Sequence, residues 1–397
     1  MGVLTELGEL RIGPEERLLV EAVRACGGAA EGVARAAGSV TDWDRLVELA
    51  QAHRIGTALS RALGQACYVL EPPARKALDG LVMLEFGANM VSRALAEETV
   101  RALAAGGLRP MLLKGAAVDR LVYPADLPRT MADVDPLLDH SEIETAERCL
   151  SQRGFVRVEP SDEEDDRYHT VMVSQGRAVE LHWRVTHIPP FRFDNAKLKA
   201  RAQVLHLADG AECLAPGYPD LFVQAAFHWA SINRFYSGLQ SLLDLVLLMR
   251  QRPEELNTNA LVSRAVETRT TGALYWTLLT LQSWGGVDVD EAALSALRPP
   301  GWLVREGARE VERSFVHSLS HLGPRVEFTQ GVSWLNWHLA CTTARNPIAA
   351  LPAVAYRLLR APRRGPESLR LRTPLQRAAY LLRPARWRKL WGVVTGR

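Results

Sequence analysis

Asp133 and Asp135 stand two residues apart in the stretch Met131 to Leu138, which otherwise reads as a short buried strand. Alternate residues of a strand project to the same side, so the two carboxylates share one face. Crowded together in an apolar segment, they repel each other and lose hydration. A cation would reconcile them, and magnesium is the first candidate. Downstream, Tyr168 to Val173 and Val179 to Val185 alternate as an antiparallel pair, with Ser174 to Arg177 as the turn between them. That pairing sets Glu180, His182 and Arg184 on one face, opposite Val179, Leu181 and Trp183. A third carboxylate on a strand facing the first two is the arrangement needed to hold two divalent ions for in-line displacement at phosphorus. Such chemistry depends on positioning and on neutralising charge, so cations such as Lys114 and Arg129 belong beside it.

The elements that must position these groups are legible around them. Arg109 to Leu113 reads as a strand that runs into Lys114 and Gly115, and residues 116 to 121 have helical composition. A strand, a glycine turn and a helix start together offer free N–H groups and a positive dipole end to an anion, and Lys114 adds a mobile cation there. Ser141 with Glu144 looks like a capping box that opens a helix closed near Gly154, followed by a strand from Phe155 to Val158. The chain therefore alternates strand and helix from about 108 to 215. Before it, residues 1 to 105 read as helices: Thr41 to Asp44 caps one, and Arg75 to Leu103 forms a long amphipathic pattern. From Pro219 to about 350 the chain returns to helices, broken at Arg252-Pro253 and at Pro299-Pro300.

The order Leu112-Leu113-Lys114-Gly115, Tyr123-Pro124, Arg129-x-Met131-x-Asp133-Val134-Asp135, then Val179-Glu180-Leu181-His182-Trp183 resembles the uncharacterised bacterial nucleotidyltransferases of the DNA polymerase beta superfamily. His228-Trp229 and the Leu-rich stretch Leu239 to Asp244 also resemble that family, so the likeness spans roughly residues 40 to 250. The resemblance implies an α/β (α+β) fold: a small mixed-sheet nucleotidyltransferase core at 106–215, flanked by an N-terminal helical region at 1–105 and a C-terminal helical domain at 216–350. It further implies Mg2+, a nucleoside triphosphate donor, and transfer of a nucleoside monophosphate to an acceptor that is a small molecule, a sugar, a peptide or a protein. By the match, Asp133, Asp135 and Glu180 are the metal-binding, catalytic carboxylates; Lys114, Gly115, Arg129 and His182 are the nucleotide-side residues, with Lys114 and Arg129 on phosphates.

Two positions depart from the wider superfamily. Lys114-Gly115 stands where Gly-Ser or Gly-Gly is usual, although it suits this subfamily. Pro136 follows the second aspartate where an aliphatic residue is more usual; proline cannot donate a ladder hydrogen bond, so the strand is expected to end there or to lie at an edge. Each residue also has a plainer reading. An Asp-x-Asp pair alone is often a solvated turn, Glu180 could be the polar face of a half-exposed hairpin, and Lys114 and Arg129 could be ordinary surface charges. A strand histidine such as His169 or His182 more often satisfies a local hydrogen bond than acts as a base. His228 and Asp244 could reach the cleft, although Asp244 could equally pair with a buried neighbour such as Arg234. His317 and His321 are four apart, but no intervening glutamate or third ligand makes them a zinc site.

Composition bounds the rest. The 397 residues, 47% apolar and 23% charged, suit a soluble globular protein of two or three structural units. No apolar run reaches membrane-spanning length, and the start lacks the basic and apolar regions of a secretory signal. Cys26, Cys67, Cys149, Cys213 and Cys341 form no close pair or metal spacing, and a reducing cytoplasmic location follows. The acidic run Ser161 to Asp166 reads as a solvated loop. From Arg357 to Arg397 there are twelve Lys or Arg against the single acid Glu367, a net +11; the whole chain carries +3, so residues 1–356 carry −8. This basic, amphipathic 351–397 tail suits an anionic membrane surface or an acidic partner, and less well nucleic acid. Two other classes of function therefore stand beside the enzyme: a catalytically silent nucleotide-binding adaptor, and a nucleic-acid-binding protein that uses the tail.

Overall fold

In a computed structural model of the protein, the described residues are 12–320, apart from 29, 159–167, 189, 208–209 and 237, together with 337, 340 and 341. The acidic run 161–166, His321 and the basic tail lie outside them.

Four short helices, Pro14–Cys26, Val33–Ala37, Trp43–His53 and Gly56–Gln65, lead into a 34-residue helix, Pro72–Ala105. The expected cap near residue 42 is present: the Asp42 carboxylate accepts from the Arg45 N–H at 2.8 Å. The expected cap at Ser141 sits two residues earlier. Glu142 accepts from the Asp139 N–H at 2.7 Å, and a short 3-10 turn, His140–Glu142, precedes the Ile143–Ser151 helix.

The strands are β1 (Met111–Leu112), β2 (Asp133–Val134), β3 (Pro136–Leu137), β4 (Val156–Arg157), β5 (His169–Ser174), β6 (Arg177–His182), β7 (Gln203–His206) and β8 (Glu212–Ala215). They form a mixed sheet in the order β4-β5-β6-β3-β1-β8-β7, with β2 also paired to β6. The β6 pairings with β2 and β3 and the β1–β8 pairing are parallel; the others are antiparallel. The fold is therefore α/β with a mixed sheet flanked by helices, as the resemblance implied. The β5–β6 hairpin turns at Gln175 and Gly176, whose φ values of 50° and 75° are those of a type I′ turn.

Pro136 stands at a strand break, as expected: β2 ends at Val134 and Pro136 is the first residue of β3, opposite Leu112 and inside the sheet rather than at its edge. The Asp135 carbonyl accepts from the Leu113 N–H at 2.9 Å, and the Leu138 N–H donates to the His182 carbonyl at 2.9 Å. The neighbours of Pro136 thus carry the ladder bonds around the donor it lacks, and a second short strand follows the break at Asp135.

After β8, helices Tyr218–Phe227, Leu239–Gln251, Thr258–Thr268, Thr271–Trp284, Glu291–Leu297 and Gly301–Ser320 follow, with a π turn at His228–Ile232. One apolar core cluster runs from Leu18 through Val134 and Leu181 to Leu248 and Phe315. The Pro14–Cys26 helix packs on Leu239–Gln251, and the Lys114–Val122 helix packs on both Tyr218–Phe227 and Leu239–Gln251. Helices from before and after the sheet are thereby tied together. All five cysteines are free thiols. No described helix is long and apolar enough to cross a membrane.

Candidate active site

Strand register brings the predicted residues together. Val134 pairs with Val179 and Leu137 with His182, both parallel, so Asp135 falls beside Glu180. On the other side of β6, Val171 faces Glu180 and His169 faces His182. Paired positions point to the same side of a sheet, so Asp133, Asp135, Glu180, His182 and His169 share one face. His182 Nε2 lies 2.8 Å from Asp135 Oδ1 and 3.3 Å from Glu180 Oε2. Lys114 Nζ lies 2.5 Å from Asp135 Oδ1 and 3.8 Å from Glu180 Oε2. Lys114 reaches them from a left-handed backbone conformation, φ 45°, at the first residue of the Lys114–Val122 helix. No side chain caps that helix start.

Charge sorts these groups. Burial alone would raise the Asp135 carboxyl, but the Lys114 ammonium and the His182 ring hold it well below the usual carboxylate range. Glu180 is lowered by its hydrogen bond from His182, against burial and the Asp135 charge. Asp133 goes the other way: burial, then the charges of Asp135 and Glu180, raise it, and Lys114 and Arg129 only partly offset them. Lys114 loses hydration on burial, yet its carboxylate neighbours raise it.

The residues fit a divalent cation. Among the described residues, one atom each of Asp135, Glu180 and His182 lie within 4.8 Å of one another. Two anionic oxygens and one imidazole nitrogen make a donor set suited to a hard or borderline ion. Asp133 stands on the same face and feels both charges, but it is not in this tight set; His182 is. His182 Nδ1 is buried without a partner, so its ring is held from the Nε2 side alone.

Arg129 has a commitment that the sequence did not reveal. Its Nε and Nη2 fork onto Asp244 at 2.8 and 2.7 Å, and the Tyr123 hydroxyl donates to the same carboxylate at 2.6 Å. Asp244 therefore pairs with Arg129 and not with Arg234, which bonds Glu310. Gly115 is needed for this packing, because a Cβ there would sit on Arg129 Nη1 and 3.2 Å from Met131 Cγ.

The segment that carries the aspartates is pinned from behind by the Pro72–Ala105 helix. Asn89 Nδ2 donates to the Arg129 carbonyl at 2.8 Å and to Asp119 at 2.9 Å, and Ser92 Oγ donates to the Met131 carbonyl at 3.0 Å. Arg93 pairs with the fully buried Asp119 at 2.7 Å. The sequence places Asn89, Ser92 and Arg93 only within the long amphipathic pattern Arg75 to Leu103, as polar residues at helical spacing. The sequence signal for them was that spacing, and it named no partner.

The sequence matches, over residues 39–286, a family described as uncharacterised nucleotidyltransferase, and the chain belongs to that family. No curated protein matches it. Among solved structures it is similar to that of the antibiotic-resistance factor ANT(2'')-Ia, determined in solution. The identity is 13% and the TM-score 0.35, over 47% of this chain and 96% of that one.

Proposed function

We propose that this protein transfers a nucleoside monophosphate from a nucleoside triphosphate to an acceptor hydroxyl, with Mg2+ held by Asp133, Asp135 and Glu180 and with His182 beside them. The observation that carries this reading is the Asp135, Glu180 and His182 set, packed against Lys114 at an uncapped helix start. When bound, the divalent ions would neutralise the triphosphate and activate the attacking oxygen.

The chain's own groups do the rest. The free N–H groups and positive end of the Lys114–Val122 helix, with the Lys114 ammonium, receive the anionic phosphates. An acceptor oxygen attacks the α-phosphorus, the bond to the β-phosphate oxygen breaks, and pyrophosphate leaves. Asp133, raised by burial and by its two acidic neighbours, would be relieved of that repulsion by the bound ion, and the acceptor proton passes to solvent water. The acceptor is a small molecule, a sugar, a peptide or a protein.

The test is calorimetric titration of non-hydrolysable analogues of the four ribonucleoside triphosphates, with Mg2+, into wild type and into an Asp133→Asn, Asp135→Asn double variant. Binding that requires both the metal and the aspartates supports the transferase reading. Binding that persists unchanged in the double variant overturns the assigned carboxylates, and no binding at all moves the weight to an adaptor, or to a site completed only when the acceptor is present. In the same titration Lys114→Ala is expected to weaken analogue affinity more than it disturbs stability; unaltered affinity would remove Lys114 from the phosphate site.

A further inference from the structure

The Pro72–Ala105 helix has two working faces. Its buried face pins the carbonyls of Arg129 and Met131, which lead into Asp133. The opposite face is apolar and open: Met83 is 74% exposed, Leu84 57%, Met90 70% and Val91 57%. Small residues lie between and beyond these, also exposed: Ala77, Gly80, Gly87 and Ala94. A Cβ added at Gly80 or Gly87 would meet nothing of this chain within 4 Å. From Gly80 to Ala94 no charged residue is exposed on this face; Glu85 points inward to the Gly56 and Thr57 N–H groups.

The order Ala77, Gly80, Leu84, Gly87, Val91, Ala94 alternates steps of three and four residues, the repeat by which one helix packs along another. It runs for about 26 Å of helix at 1.5 Å per residue. A solvated helix face has no reason to keep that repeat, and a contiguous exposed apolar stripe of this kind marks an interaction surface.

We propose that this face is a two-fold interface between two copies of the chain, with the helices packed antiparallel about Gly87. Charge chooses both the partner and the direction. Lys76 and Glu98 continue the same stripe, eleven residues before and eleven after Gly87. Antiparallel packing centred on Gly87 sets Lys76 of each copy against Glu98 of the other, whereas parallel packing sets like against like. The same centre places Gly80 opposite Ala94, Leu84 opposite Met90, and Met83 opposite Val91. Small residues then meet small ones, so the backbones approach closely at Gly87, and the large side chains close over the flanks. An interface in which one patch meets itself is what a two-fold dimer requires. Glu98 already bonds Arg177 at 3.1 Å but keeps about a third of its side chain exposed, so it can also receive Lys76. The backs of the two helices that hold the aspartate segments would thereby be buttressed against each other.

The test uses the full chain in sedimentation equilibrium, with Gly87→Glu as the disrupting variant. Because a Cβ at position 87 touches nothing of its own chain and glutamate favours helix, this variant folds as wild type does, which circular dichroism checks. Wild type is expected to be a dimer at micromolar concentration and Gly87→Glu a monomer. Single cysteines then read the direction. Gly87→Cys is expected to form a disulfide-linked dimer on mild oxidation, while Ala94→Cys alone is not, with wild type and its exposed Cys67 as the background control. Mixing Gly80→Cys with Ala94→Cys restores cross-linking. A wild type that stays monomeric overturns the proposal, as does a dimer that survives Gly87→Glu. Cross-linking of Ala94→Cys to itself overturns the antiparallel direction. A monomer that binds phosphatidylcholine vesicles and loses that binding in Gly87→Glu overturns it in favour of a lipid surface.

Discussion

Arg129 is the residue for which the sequence and the structure suggest different duties, and a mutant cycle separates them. The family resemblance puts Arg129 on phosphate; the structure forks it onto Asp244, with the Arg129 side chain 13% exposed and that of Asp244 8%. Arg129→Met leaves the Asp244 carboxylate buried with only the Tyr123 hydroxyl as a donor. Removing one partner of a buried, bidentate pair typically costs about 3–5 kcal/mol, because the other charge is left without compensation. Asp244→Leu should cost about as much, since it strands the guanidinium. The double variant Arg129→Met, Asp244→Leu strands neither charge. It loses the carboxylate acceptor of Tyr123, worth about 1–3 kcal/mol for an unsatisfied hydroxyl. The two single costs, about 6–10 kcal/mol together, should therefore overshoot the double by at least about 3 kcal/mol, the upper end for residues in direct contact. Urea denaturation followed by tryptophan fluorescence and far-UV circular dichroism measures the cycle where the two transitions coincide. Single costs that add to within about 0.5 kcal/mol would refute the argument that the pair is a buried, mutually dependent strut. Triphosphate-analogue affinity then decides the second duty. A double variant that regains stability and also binds the analogue normally leaves Arg129 as a strut alone; one that is stable but binds weakly gives it a phosphate contact as well.

Two further outcomes follow from local geometry. His53 is buried, its Nε2 donates to the Leu319 carbonyl at 3.1 Å and its Nδ1 accepts from the Leu239 N–H at 3.3 Å, so the neutral ring fits and burial lowers its pKa below the ordinary 6.5. The unfolded chain then takes a proton that the folded chain refuses, so stability is expected to fall as pH drops below 6.5; a melting temperature whose fall from pH 7 to pH 5 is unchanged in His53→Asn would refute this. Gly115→Ala gains helix propensity worth up to about 1 kcal/mol but presses on a guanidinium fixed by Asp244, so a net loss of about 1–3 kcal/mol is expected in thermal melts, and a stabilised variant would show that Arg129 can shift.

The hairpin that carries Glu180 and His182 was legible because its signal is local: alternation on both strands and a Gln175-Gly176 turn that supplies two positive φ values. The Asp133 and Asp135 positions were legible for the same reason, since the two-residue period fixes their face. What could not be read was everything that depends on distant partners. Asp244 lies 115 residues from Arg129, and its Leu-rich surroundings say only that it must be paired. At Pro136 the local rule about its missing donor located the strand break, but the resumption of the chain as β3 inside the sheet depends on bonds with Leu113 and His182 on neighbouring segments. The resemblance puts His182 on the nucleotide side, and its approach to Asp135 is not legible locally because it depends on β3 lying parallel to β6.

A count of charge explains why these groups make chemical sense together. Asp133, Asp135 and Glu180 share one half-buried face with a single ammonium, that of Lys114, among them. Arg129, the other nearby cation, is neutralised by Asp244. Against burial, its bonds to Asp135 and Glu180 raise the His182 pKa, so even a charged His182 leaves at least one negative charge without compensation. At the 4.8 Å that bounds the separation of the Asp135 and Glu180 ligand atoms, two like charges repel by about 3.5 kcal/mol at an effective dielectric near 20. A fold has little reason to retain that repulsion for stability, since replacing clustered buried charges with apolar groups is often neutral or stabilising. On the proposed reading, one divalent cation would supply the missing positive charge, and a triphosphate entering at the Lys114 helix start would draw the ammonium toward its own anions. Donor set, residual charge and helix start are thus three separate features that favour the same occupant, a metal-bound nucleotide.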